Sequence, residues 1–241
     1  MKTFLFTPLL ALVLSPLALV AQTFSSGPQQ VSLVELYTSE GCSSCPPAEA
    51  RLSAMRSDSD LWKTFVPVAF HVTYWDNLGW ADATAQAAFT ARQQALAASW
   101  HTSSIYTPCF VRDGKEWRSA EKIAASHEKP GTLILQKTGG QVTVTFAPST
   151  PGSYEIHLAT LGGGIETKVR AGENAGRTLR HDFVALTLQT ATPGDSATFT
   201  LPAPAKNPPP DLALAAWVTR RGELQPIQAV GGMLPKSPPA R

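Results

Sequence analysis

Cys42 and Cys45 stand two residues apart in the stretch "EGCSSCPPAEARL" (40–52). A Cys-x-x-Cys pair supports three chemistries: thiol–disulfide exchange, half of a metal site, or a disulfide that staples a turn. The apolar, β-branched run "VSLVELY" (31–37) leads into the pair, and "AEARLSAMR" (48–56) leaves it with Ala48, Leu52 and Met55 at helical spacing. The pair therefore falls between a strand and a helix. A helix N-terminus carries unpaired N–H groups and partial positive charge, which stabilise a thiolate. Pro46 and Pro47 suit the first helical turn, where an N–H has no partner. The residue before a proline avoids the helical region, so the helix should begin after Cys45 and leave Cys42 in the turn as the more exposed thiol. This placement favours redox exchange over a static disulfide or a metal site, with Cys42 as nucleophile and Cys45 as resolving cysteine.

The elements that must hold this pair change character near residue 130. Before it, "FVPVAFHV" (65–72) reads as a buried strand and "ATAQAAFTARQQALAASW" (83–100), free of glycine and proline, as a helix. "PCFVRDGKEWRS" (108–119) reads as a hairpin turning at Asp113-Gly114, and "SAEKIAAS" (119–126) as a further helix capped by Ser119. The order βαβαββα is a thioredoxin-like α/β layout. After Gly131 the pattern turns to period two in eight short segments between Gly, Pro and Asn clusters, which predicts an all-β, sandwich-like C-terminal domain. The expected division is a leader over 1–21, a thioredoxin-like domain over 22–130 and a β-rich domain over 131–241.

In that layout Thr107-Pro108, just before a strand, occupies the place of a cis-proline facing the dithiol. A cis bond there exposes the Thr107 backbone for strand-like pairing with a bound peptide. Cys109 follows directly. Three sulfurs with His71 or His101 would suit zinc or copper(I), but no second close cysteine pair exists, and Cys109 reads better as a small buried hydrophobe.

Lys2 followed by the apolar residues from Phe4 to Val20 and the small Ala21 has the order of a secretory signal peptide. Pro8 and Pro16 interrupt it, whereas a spanning helix wants roughly 20 unbroken apolar residues. The expectation is an exported protein, periplasmic or secreted, without a stable membrane anchor. Loss of Lys2 lowers the formal charge from +2 to +1, too little for a nucleic-acid partner. No Gly-x-Ser-x-Gly or His-Glu-x-x-His motif occurs, and the histidines at 71, 101, 127, 157 and 181 are scattered.

"VELYTSEGCSSCPPAEARL", "FHVTYWDNLGW", "FTARQQ", "YTP" and "VRAGENAGRTLRH" together resemble the secreted family known as domain of unknown function 1223. The resemblance implies a thioredoxin-like fold with a β-rich C-terminal part and no settled activity. It places Cys42 and Cys45 at the family's paired cysteines, Pro108 at its cis-proline, and Tyr74, Trp75 and Asp76 at its aromatic-acidic motif. Cys109 departs from an expected glutamine and Thr73 from an expected acid.

Tyr74, Trp75 and Asp76 follow the second strand on a loop. There the aromatics either grip a substrate peptide or pack under the long helix with Trp80, and Asp76 either takes the proton of the resolving thiol or caps a turn. "RAGENAGRT" (170–178) reads as a tight turn making an interdomain contact, with Glu173 pairing Arg177 or Arg92. It lacks the setting of a phosphate loop. The functional expectation is a thiol–disulfide oxidoreductase that needs no cofactor and acts on a protein or small-thiol disulfide. The alternatives are a non-enzymatic binding module with a structural Cys42–Cys45 disulfide, or a copper or zinc carrier.

Overall fold

The computed structural model describes residues 21–119, 121–191, 194–203 and 205–236, so the expected leader up to residue 20 lies outside the described residues. Two buried apolar runs, β2 (Ser32–Thr38) and β3 (Phe65–His71), pair in parallel at the centre of an eight-stranded sheet. Every residue of both strands is buried, as expected for strands covered on two faces. Between them lies α1 (Pro46–Ala54), and after β3 comes α2 (Ala87–Ser99), whose Phe89, Gln93, Leu96 and Ala97 form its buried stripe. Alternation along β2 separates the helices. Thr38 meets Glu49 of α1, whereas Glu35 meets Arg92 of α2 on the other face.

On one side of β2 the sheet continues through β4 (Cys109–Arg112) and β5 (Lys115–Glu116), joined at Asp113-Gly114, where both residues take positive φ. On the other side, β11 (Val184–Ala191) lies parallel to β3. Beyond it come β8 (Tyr154–Gly163), β13 (Asp211–Arg220) and β14 (Pro226–Met233), all antiparallel. A second sheet of β1 (Gln22–Ser25), β6 (Gly131–Thr138), β7 (Gln141–Pro148) and β12 (Ser196–Thr200) closes a separate core of Leu133, Val144, Phe146, Ile156, Leu214 and Val218. The chain is thus mostly β, and only part of its later strands faces a second sheet. Four of them, β8, β11, β13 and β14, extend the sheet that leads into the cysteine turn, and β8, β13 and β14 also pack one side against the second sheet. A ribbon of β9 (Ile165–Lys168) and β10 (Thr178–His181) completes the described strands.

No helix forms over the described residues of the expected 119–126 helix. The Ser119 hydroxyl accepts the N–H of Glu121, as a cap would, but the bonds that follow are tertiary rather than helical. The segment is irregular, with Ile123 buried, Lys122 paired to Asp60 at 2.7 Å, and the Glu128 carbonyl accepting the Gln30 N–H.

On the α2 face a buried charge pair is closed on itself. Arg92 donates twice to Glu35, at 2.7 and 3.0 Å, Tyr37 donates to the same carboxylate, and the guanidinium lies over the Trp217 ring. His157 stacks on Trp217 and bonds Thr190 and Thr219. Burial, aided by the Arg92 charge, pushes His157 down to about 3.

Two outcomes follow from this core. Arg92→Ala strands a buried carboxylate and is expected to cost about 3–5 kcal/mol in urea denaturation; a loss under ~1 kcal/mol would show that the pair carries little. The unfolded chain takes up a proton near pH 6.5 that folded His157 refuses, so stability falls as pH drops from there toward 3. Between pH 6.5 and 5, above the range of ordinary carboxylates, His157→Gln should flatten that slope.

Candidate functional site

The cysteine turn joins β2 to α1. Its backbone closes through Cys42 N–H to Ser39 O and Cys45 N–H to Cys42 O, and Cys45 O accepts the first helical N–H groups, of Ala48 and Glu49. Cys45 is the N-cap and Pro46 the first helical residue. The two sulfurs lie at disulfide-bonding distance. Both cysteines are 0% exposed, which overturns the expectation of an exposed Cys42.

The reason is a cover that comes from far along the chain. The loop at the tip of the β9–β10 ribbon lies over the turn, and the Asn174 amide donates to Glu40 O and Cys42 O, each at 2.9 Å. Arg177 holds the Asn174 carbonyl, while the Glu173 carboxylate accepts the Ser43 N–H and is itself held below its usual range by that contact. Glu173 therefore pairs with neither Arg177 nor Arg92. Gly172, at φ +75°, lets the loop approach Trp80. On another side Trp75 lies against Gly41, where an added Cβ would sit 3.0 Å from the Trp75 Cβ. Ser43 and Ser44 are what the turn presents to solvent.

The Thr107–Pro108 peptide is cis. Ser44, Pro47 and Pro108 border one open groove of about 590 Å³, together with Ala48, Arg51, Tyr106, Phe110, Glu116, Trp117 and Arg118. Its wall is a cation–π stack, with Arg51 4.8 Å from the Phe110 ring centre and 4.4 Å from that of Trp117. Trp75 donates to the Thr107 hydroxyl at 2.7 Å, which links the cover to the cis-proline side. Tyr74 reaches Gln93 of α2, and its burial raises its hydroxyl to about 12. Asp76 accepts the Asp82 N–H and so closes a turn; burial raises it as well. Cys109 is a buried free thiol that burial pushes up to about 11, while His101 is exposed beyond the end of α2.

Sequence reasoning missed the polar cluster that flanks the turn. Glu40, Glu49, His71, Asp82 and His181 are all buried. His71 Nδ1 lies 2.6 Å from Asp82, and burial of Asp82 is outweighed by this imidazole, which holds the carboxyl far below its usual range. Glu49 takes the Thr38 hydroxyl and one nitrogen of His181. The other nitrogen of His181 stands 3.3 Å from Glu40, off the line of a hydrogen bond, and Trp80 donates to the same Glu40 carboxylate. Burial opposes charge on His181, but Glu40 and Glu49 outweigh it and hold the ring up at about 10. The available signal was Glu40 and Glu49 on either side of the cysteines; nothing local marked His181 as their partner.

A family model described as "Protein of unknown function (DUF1223)" matches residues 33–219. No curated protein matches the chain. Among solved structures, an Agrobacterium tumefaciens protein determined by X-ray crystallography as a structural-genomics target is similar at 21% identity and a TM-score of 0.60, over 86% of this chain and 95% of that one. HBP35 of Porphyromonas gingivalis is similar at 13% identity and a TM-score of 0.52, over 86% of this chain and 76% of that one. At these identities the likeness concerns the fold.

The Asn174 clamp has a measurable consequence. Asn174→Ala removes two buried hydrogen bonds, and a loss of about 1–3 kcal/mol is expected. If that loss falls on local opening of the cover, dithiothreitol should reduce Cys42–Cys45 about tenfold faster for each 1.4 kcal/mol. Unchanged reduction kinetics would mean that the ribbon tip does not guard the sulfurs.

Proposed function

The chain belongs to the DUF1223 family of proteins of unknown function, and for it we propose thiol–disulfide exchange at Cys42–Cys45, in an oxidising compartment outside the cytosol. The observation that carries this reading is the shared groove: Ser44 and Pro47 of the cysteine turn and the cis-bonded Pro108 border the same open cleft. A strand, a Cys-x-x-Cys turn at a helix start, a parallel strand and a cis-proline before an antiparallel hairpin together support a thioredoxin-like reading of this half. The apolar segment after Lys2 supports export.

In the reducing direction, the Cys42 thiolate attacks a substrate disulfide and expels one substrate thiol. The Cys45 thiolate then attacks the Cys42 sulfur of the mixed disulfide, which releases the second thiol and closes Cys42–Cys45. The reverse sequence oxidises a substrate dithiol. The first turn of α1 favours the thiolate form. Tyr106, Phe110 and Trp117 offer a substrate peptide apolar contact, with the Thr107 backbone beside them. The cover of Asn174 and Trp75 must yield before a partner sulfur reaches either cysteine.

Full burial of both cysteines favours a second reading, a static disulfide that fixes the turn. One measurement separates the two. In glutathione buffers, with Cys109→Ser to remove the third thiol, an exchange-active pair should show a potential between about −120 and −270 mV. A value below about −300 mV marks a structural disulfide and ends the exchange reading. On the exchange reading Cys45→Ser should accumulate mixed disulfides through Cys42.

A further inference from the structure

The cluster beside the cysteine turn has more donors than the fold uses. One ligand atom from each of Glu49, His71 and His181 lies within 4.8 Å of the other two, and all three residues are buried. His71 is 0% exposed, and with Nδ1 bonded to Asp82 its Nε2 has no hydrogen-bond partner at all. A buried imidazole nitrogen without a partner is rare, because its desolvation is then uncompensated. His181, 2% exposed, lies between two carboxylates, Glu49 at Nδ1 and Glu40 beyond an unpartnered Nε2.

We propose that Glu49, His71 and His181 form a buried binding site for a divalent transition-metal ion of the zinc class. Two imidazoles and a carboxylate are a donor set of that class, the three-ligand pattern found where zinc keeps a fourth position open. The surroundings match as well. A metal-bound histidine ordinarily gives its other ring nitrogen to a carboxylate. Here Asp82 serves His71, and whichever nitrogen of His181 binds the ion, the other faces Glu40 or Glu49. Charge points the same way. Glu40, Glu49 and Asp82 place three carboxylates around two imidazoles, and their other partners are the neutral donors Trp80, Thr38 and Thr84 and the Glu40 backbone. Even with both rings protonated the cluster keeps one negative charge in excess, and a divalent cation supplies what the side chains do not.

The site uses no cysteine, so it stands or falls separately from the exchange reading. The experiment takes the full chain with Cys42–Cys45 oxidised, stripped by a chelator, and titrates it with zinc sulfate by calorimetry. One ion per chain is expected, with the unfolding temperature rising as zinc is added. His71→Gln, with its fold checked by near-ultraviolet circular dichroism, should lose the binding. Cobalt(II) provides a second readout on the unmutated chain. Its visible bands should report nitrogen and oxygen ligands, without the near-ultraviolet charge transfer of a thiolate. Failure of the unmutated chain to bind either ion, a thiolate band, or unchanged zinc affinity in folded His71→Gln would each overturn the proposal.

Discussion

Ala69 donates its backbone N–H to Phe183 O at 2.8 Å, and Val184 pairs with Ala69 in parallel. This short seam between β3 and β11 is where the large sheet passes from the first half of the chain to the second. Downstream of it, β11 carries the sheet outward through β8, β13 and β14. Upstream, the chain arrives from β10, so the seam fixes where the β9–β10 ribbon must lie. That is over the cysteine turn. Glu173, Asn174 and His181 reach the site because β11 joins β3 in parallel at Val184 and Ala69.

The two faces of β2 and β3 handle buried charge in opposite ways. Toward α2, Glu35 and Arg92 meet in a bidentate pair, with Tyr37 on the same carboxylate and aromatic rings around the guanidinium. Charge balances there. Toward α1, carboxylates outnumber imidazoles and ring nitrogens are left open. Uncompensated charge in a protein interior costs several kcal/mol per group, so the second arrangement departs from what stability alone would select. One face balances its charge within itself; the other, beside the cysteine turn, does not.

What was legible in the sequence was local. The Asp113-Gly114 hairpin, the alanine-rich α2, the helix start at Pro46 and most period-two strands follow from propensity and alternation over a few residues. Pro108 was placed by layout rather than by any property of "YTPCF". The failures have a common cause. Ser119 has a cap residue's chemistry and its hydroxyl takes the Glu121 N–H, but distant partners hold the chain beyond it, Asp60 on Lys122 and Gln30 on Glu128. The burial of Cys42 depends on Asn174, 132 residues away, and the partner of Glu49 is His181, also 132 residues away. β10 reads as polar because half of it faces out and the other half meets a charged cluster. Periodicity reports which face is apolar; it is silent when a buried face is ionic.

The separation between Cys42 and its clamp also sets an order of events during synthesis. A polypeptide leaves the ribosome N-terminus first, so both cysteines emerge well before Asn174 does. For that interval the pair is open to any oxidant or isomerase that meets the nascent chain. The seam that positions the ribbon forms only once Phe183 and Val184 have been made. The redox state that Cys42 and Cys45 hold when the second half of the chain folds is therefore the one the ribbon covers.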